Sequence, residues 1–200
     1  MSARADQATS RADKARANRR RMRAAALALF TDRGYASTSM QAIAGEAGVA
    51  VQTLYFTFGT KRALLSEILD IEVAGDEEPV PTLERPRVLA AIDDPDREQQ
   101  LREQARIARE IYQRVAPVLQ VVANAASADP ELAELWETNN SQRAAVMERL
   151  ISALVAKGPL RDGLDTAIAV DIALALQPRD VSVPHETTWL EPQPMGTVDS

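Results

Sequence analysis

Gln52, Thr53 and Tyr55, flanked by Val51 and Phe56, are the side chains of this 200-residue chain best suited to touch a base pair. The Gln52 amide can donate and accept at once, which is the bidentate match to adenine in a major groove. Thr53 brings a hydroxyl for a base or phosphate and a methyl for thymine, whereas Val51 brings apolar contact alone. Phe56 can lie against the sugar-phosphate edge. Tyr35 and Thr38, a little upstream, are placed to add hydrogen bonds to phosphate, which set register without carrying sequence information.

Two short helices joined by a tight turn must hold these groups, and the run Met40 to Lys61 has that pattern. Ala44 is small where the helices approach. Gly48, four residues on, supplies the positive φ of a sharp turn. Ile43, Val49 and Leu54 form the shared apolar seam. The second of the pair, the reading helix, is predicted over Val51 to Phe56 with Leu54 turned inward, and Ala50 before it cannot cap. Upstream, Met22, Ala25, Ala26, Leu29 and Phe30 fall on one helical face that Gly34 closes. Thr38 with Gln41 has capping-box spacing, so Thr38 is predicted as N-cap of the next helix. Thr60 is predicted to cap a further helix, with Leu64, Leu65, Ile68 and Leu69 inward.

Over residues 16 to 70 the chain resembles the tetracycline-repressor family of transcriptional regulators. The resemblance is carried by Ala25-Ala26-Leu27-Ala28-Leu29-Phe30, Arg33-Gly34-Tyr35, Thr38-Ser39-Met40, Ile43-Ala44, Ala47-Gly48-Val49, Thr53-Leu54-Tyr55, Phe58, Lys61 and Leu64-Leu65. It implies that Tyr55 and Lys61 contact backbone phosphate. It also implies an all-α protein: an N-terminal three-helix DNA-binding domain with a helix-turn-helix, then a C-terminal helical domain for ligand binding and dimerisation. A small-molecule effector would enter that body. Tyr112, Leu119, Val122, Trp136, Asn140 and Met147 are the candidate lining, at helical spacing among apolar neighbours, with Val118 beside them.

Composition agrees with helices. Alanine is abundant and aromatics are only 4%, which suits helix over sheet. The net charge of −6 conceals an asymmetry. Residues 1–62 carry eleven Lys/Arg against four Asp/Glu, whereas residues 63–200 carry twelve against twenty-five. A basic head on an acidic body suits contact with a polyanion at one end. The arginines Arg16, Arg19, Arg20, Arg21 and Arg23 either begin the first helix or form an arm along phosphates or in a minor groove. Four segments are expected: a disordered tail over 1–15, the DNA-binding domain over 16–60, the helical body over 61–176, and an irregular tail over 177–200.

Within the body, Asp76 to Pro86 holds Pro79, Pro81 and Pro86 and is read as a non-helical connection. Helices are expected over Arg87–Ile92 and Arg97–Arg114, with Pro117 breaking or kinking the stretch 115–128. A long helix opens at Asp129-Pro130, and Lys157-Gly158 end it. A last helix, Leu164–Leu176, is apolar nearly all round and so is expected to be buried, with a subunit interface as the means. The tail beyond it holds four of the eleven prolines and the only histidine, His185. It departs from the family's further long helix.

Catalysis finds no support. There is no cysteine, and His185 stands in the proline-containing tail. Neither a Gly-rich phosphate loop nor His/Cys metal spacing occurs. Asp93, Asp94 and Asp96 read as a helix-capping loop. No apolar run approaches the ~20 residues of a membrane span, and no secretory signal stands at the N-terminus. The reading is therefore a cytoplasmic, non-enzymatic, ligand-responsive homodimeric repressor on double-stranded DNA, without cofactor or metal. The alternative is a helical small-molecule-binding or interaction protein whose DNA-binding head is vestigial.

Overall fold

The computed structural model describes residues 2–176, with side chains from Asp13 onward. Among these described residues eight α-helices follow one another: α1 (Ser2–Arg33), α2 (Met40–Ala47), α3 (Val51–Phe58), α4 (Lys61–Ala74), α5 (Pro86–Asp93), α6 (Arg97–Ala126), α7 (Pro130–Val155) and α8 (Thr166–Ala175). There is no strand among the described residues. The irregular tail expected over 177–200, with His185, lies outside them.

Apolar spacing sets the first lobe. Met22, Ala25, Ala26, Leu29 and Phe30 on α1 meet Ile43 and Ala44 on α2, Leu54 and Phe58 on α3, and Leu64, Leu65, Ile68 and Leu69 on α4, all buried in one cluster. That cluster continues into Val115, Val118, Leu119 and Val122 of α6 and Leu132 and Leu135 of α7. The lobe and the helical body thus share a core across α4, which packs on both α1 and α6. In the body α6 and α7 run antiparallel. Gln100 near the start of α6 donates to the Leu150 carbonyl near the end of α7 (3.1 Å), while Tyr112 lies under Arg143 (5.6 Å).

Local chemistry fixes the helix ends. Gly48 takes φ 63°, and the Val49 N–H reaches the Ala44 carbonyl (3.0 Å), a Schellman closure that sets the α2–α3 turn. Thr60, Asp96, Asp129 and Asp165 cap α4, α6, α7 and α8 through side-chain oxygens that accept backbone N–H bonds. Pro86 and Pro130 stand in the first turns of α5 and α7, where a missing N–H costs nothing. Ala50 precedes α3 with extended backbone and no side-chain cap.

Three expectations are corrected. Ser39, not Thr38, is the N-cap of α2, its hydroxyl accepting from the Ala42 N–H (3.1 Å). Thr38 is buried and instead closes the end of α1, because the chain reverses sharply after Gly34. Residues 2–15 are helical, not a disordered tail: α1 starts at Ser2, in line with the alanines and arginines that favour helix there. Pro117 does not break the helix, since α6 continues to Ala126 and Pro117 faces outward, where water can take the unpaired carbonyl. Within the single chain no residue of α8 is buried, which leaves open the subunit interface expected for it. Ile168, Ile172 and Leu176 are exposed on the single chain.

A charge network ties α1 to α4. Arg19 donates from Nε to Glu67 (2.7 Å) and pairs with it again through Nη2, Arg23 donates to Glu67 (2.9 Å), and Arg23 also pairs with Glu77 just past α4. Burial works to raise the Glu67 carboxyl. The hydrogen bonds and charges of Arg19 and Arg23 outweigh it and hold the group below its ordinary range. Because the folded-state value is depressed, the carboxylate's stabilisation is present above the unfolded value, about pH 4.3, and is lost as pH falls through the folded value. Glu67→Gln is therefore expected to lower Tm most at neutral pH, with the gap to the parent closing below about pH 4. A gap that stays constant with pH would contradict this account. Ala50→Ser supplies the cap that α3 lacks and is expected to add about 0.5–2 kcal/mol. Chemical denaturation measures it, and no gain would mean that the α3 N-terminus is already satisfied.

Candidate nucleic-acid interface

The reading helix is α3, two residues longer than expected. Leu54 and Phe58 point into the core, which turns the opposite face outward by helical periodicity. Gln52 and Thr53 are exposed, Tyr55 is 51% exposed and Phe56 is 93% exposed, while Val51 is half-buried against the core. A benzyl group left almost wholly in water beside an amide, a hydroxyl and a phenol is an unusual surface for a solvated helix. It fits a face that meets a partner with methyls and rings of its own. Thr57 is spent locally, donating to the Thr53 carbonyl (2.7 Å).

Three of the expected phosphate contacts are placed differently. Thr38 is 1% exposed and shares its hydroxyl proton between the carbonyls of Gly34 (2.8 Å) and Leu29 (3.2 Å). Tyr35 is buried, its ring against Phe30 (5.4 Å between centroids). Burial, with Asp129 and Glu131 nearby, pushes its phenol up to about 12, so the hydroxyl keeps its proton. Lys61 donates its ammonium protons to the carbonyls of Tyr35 (2.8 Å) and Thr38 (3.0 Å), and the ammonium sits 4.1 Å from the Tyr35 ring centroid. Burial lowers its pKa from the ordinary value. Lys61 thus locks the α1–α2 connection to the start of α4, with Tyr35 and Thr38 as its other half. In place of Thr38, Ser39 is exposed at the start of α2, its hydroxyl accepting from the Ala42 N–H.

Of the body residues, Leu119 and Val122 are packed into the main core, and Tyr112 and Trp136 are half-buried against it. Asn140 accepts from Arg143 Nη1 (3.3 Å), whose guanidinium lies over Tyr112, so Tyr112, Asn140 and Arg143 form one polar group between α6 and α7. Met147, half-buried on α7, is not part of the main cluster. Sequence reasoning missed Arg143, Asn139 and Gln104. Asn139 is buried with its Oδ1 unsatisfied by protein, and Gln104 Nε2 is enclosed likewise. The signal available was an Asn pair inside a long helix, a residue type that helix interiors disfavour. A groove of about 550 Å³ also opens between α1 and the end of α4, lined by Arg20, Arg23, Leu27, Ile68, Ile71 and Glu77 among others.

The geometry has counterparts of known structure. Among curated proteins none matches the chain. Among solved structures, the fold is that of GusR from Salmonella enterica (TM-score 0.61, 22% identity, covering 83% of this chain and 82% of that one). NalD from Pseudomonas aeruginosa, the secondary repressor of the MexAB-OprM multidrug efflux pump, superimposes with TM-score 0.60 at 24% identity over 80% of each chain. PfmR from Thermus thermophilus, a TetR family transcriptional regulator, gives TM-score 0.61 at 24% identity over 80% of this chain and 84% of that one. Residues 23–68, from the middle of α1 through most of α4, match the bacterial regulatory proteins of the tetR family. That match falls on the helices that expose Gln52, Thr53, Tyr55 and Phe56, so this segment is similar to the N-terminal part of the tetR family of bacterial regulatory proteins, and the solved structures share the fold of the described chain.

Proposed function

We propose that the protein is a homodimeric repressor whose two α3 helices enter successive major grooves of a near-palindromic operator, about 34–36 Å apart. The observation that carries the reading is the outward face of α3, where the amide of Gln52 and the ring of Phe56 stand free one helical turn apart. Gln52 reads adenine, Thr53 and Val51 meet thymine methyls, and Tyr55 and Phe56 lie along the sugar-phosphate edge. The first turn of α2 holds a phosphate through its N–H groups.

Dimerisation is supported by α8. Ile168 and Ile172 are each more than two-fifths exposed, one helical turn apart, and Leu176 continues the stripe. Apolar side chains in that arrangement are stabilised by meeting a second copy of the same face. An effector is supported by the enclosed Asn139 Oδ1 and Gln104 Nε2, buried polar atoms that protein leaves unpaired and that a ligand with polar groups can satisfy. Tyr112, Trp136 and Asn140 would line its approach. It would release DNA by binding more tightly to the arrangement in which the two reading helices no longer match the groove spacing.

The test is enrichment of duplexes from a random pool by the full chain, followed by binding titrations. A near-palindromic A·T-containing site is expected, with Gln52→Ala losing about 1–3 kcal/mol of discrimination at one base pair per half-site. Equal affinity for enriched and random duplex at physiological salt would reject sequence-specific regulation. Ile172→Glu is expected to shift the protein from dimer to monomer in sedimentation while its far-UV circular dichroism is preserved. A variant that stays dimeric would move the interface away from α8.

A further inference from the structure

We propose that this chain divides DNA binding between two elements: the part of α1 ahead of Met22, through the exposed cations Lys14, Arg16, Arg20 and Arg21, supplies the phosphate neutralisation, on duplex flanking the operator core, and the uncharged face of α3 supplies the sequence discrimination. The proposal rests on the DNA-binding reading above.

The first observation is what the reading lobe lacks. From Gly34 to Thr60 the sequence contains no Lys or Arg and one acid, Glu46. Affinity for duplex DNA comes largely from cations that displace counterions at phosphates, and the helix-turn-helix has none to give. Its borders are already committed. Lys61 is held by the Tyr35 and Thr38 carbonyls. Arg62 donates to the Glu131 carbonyl (3.1 Å) and to Glu134 (3.0 Å) on α7. Arg19 and Arg23 are engaged by Glu67 and Glu77. Arg33, by contrast, stays on the surface at the end of α1, 3.4 Å from Asp32 and no more firmly paired than Arg16 is with Asp13.

The second observation is where charge remains. The first core residue of α1 is Met22, so a length of about 30 Å of helix precedes it. Side chains from Asp13 to Ala17, and Arg20 and Arg21, are exposed. Lys14 and Arg20 have no ionic partner among the described residues, Arg21 donates to Asn18 (3.1 Å), and Arg16 answers Asp13 one turn earlier. Residues 2–21 carry seven Lys/Arg against two Asp. The third observation is position. The Arg19 guanidinium sits 4.8 Å from the ring centroid of Phe58, the last residue of α3, so the charged length of α1 begins beside the C-terminal end of the reading helix.

The test compares salt dependence with sequence preference on two duplexes of equal length, one enriched by the full chain and one of random sequence. The variant K14Q/R16Q/R20Q/R21Q keeps good helix formers, and circular dichroism checks that α1 survives. Each lost phosphate contact removes about 0.9 from the slope of log affinity against log salt, so a fall of about 2–4 is expected on both duplexes. The affinity ratio between the duplexes should stay at the parent value. Q52A/F56A should do the reverse, collapsing the ratio and leaving the slope. A quadruple variant with the parent's slope, or one whose affinity ratio falls with its affinity, would overturn the division. If the parent itself fails to discriminate, the operator reading falls, and the slope comparison on either duplex still decides the role of α1.

Discussion

Backbone carbonyls at the ends of helices need donors, and in this protein side-chain cations supply them at one junction after another. Lys61 satisfies the carbonyls of the α1–α2 connection. Arg114 on α6 donates to Glu72 (3.2 Å) and Val73 (3.4 Å) at the C-terminal end of α4. Lys157, after α7, donates to Ile92 (2.6 Å) at the end of α5 and to the fully buried Gln100. Arg97 reaches the Pro159 carbonyl (3.0 Å). Helix C-termini carry the negative end of the macrodipole, so a cation there gains from the field as well as from the hydrogen bond. Each such bond also joins two elements distant in sequence, which short helices with small apolar faces need.

The most consequential of these junctions are the two ends of α4. At its start, Lys61 binds it to the lobe that carries α3. At its finish, Arg114 binds it to α6, and Arg23 of α1 reaches Glu77 in the chain that follows. Gly75 takes φ 83°, a left-handed turn that favours glycine, while the Arg114 guanidinium beside it is the movable end of a long side chain. A rigid rod fixed at both ends transmits displacement instead of absorbing it. A rearrangement between α6 and α7 that moves Arg114 must shift the far end of α4 or break the carbonyl bonds. That gives the Tyr112–Arg143 region a physical route to α3 through packed, polar-anchored elements.

Much of this was legible in the sequence, for reasons that differ by residue. Gly48, Ala44, Ile43 and Leu54 have local steric roles, so the helix-turn-helix and its inward and outward faces follow from residue type and period alone. Asp96, Asp129 and Thr60 act within three residues of themselves, and caps of that kind can be read without a fold. Lys61, Tyr35 and Thr38 could not be read this way. Lys61 donates to backbone carbonyls of Tyr35 and Thr38 that lie 23 to 26 residues away, and only the fold brings them together. Thr38 illustrates how close the competition is. Ser39 next to it caps just as well, and the choice falls to the reversal after Gly34, which needs a buried hydroxyl one position earlier. The exposure of α8 has another origin: periodicity reports that a helix wants burial but not which chain provides it.

The same accounting explains why a chain with so basic a head presents so neutral a reading surface. Eleven Lys/Arg against four Asp/Glu make residues 1–62 a basic head, yet the structure commits Arg19, Arg23, Lys61 and Arg62 to holding helices together. A cation that is paired and partly desolvated contributes little to a distant phosphate, because its field is largely cancelled by its partner. What a lobe presents to DNA is therefore set by the charge left after internal bonds are made, not by the charge it contains. In this protein that remainder lies on a helix length outside the packed core. On the proposed reading, discrimination falls to Gln52 and Thr53, whose contacts would depend on base identity and change little with salt.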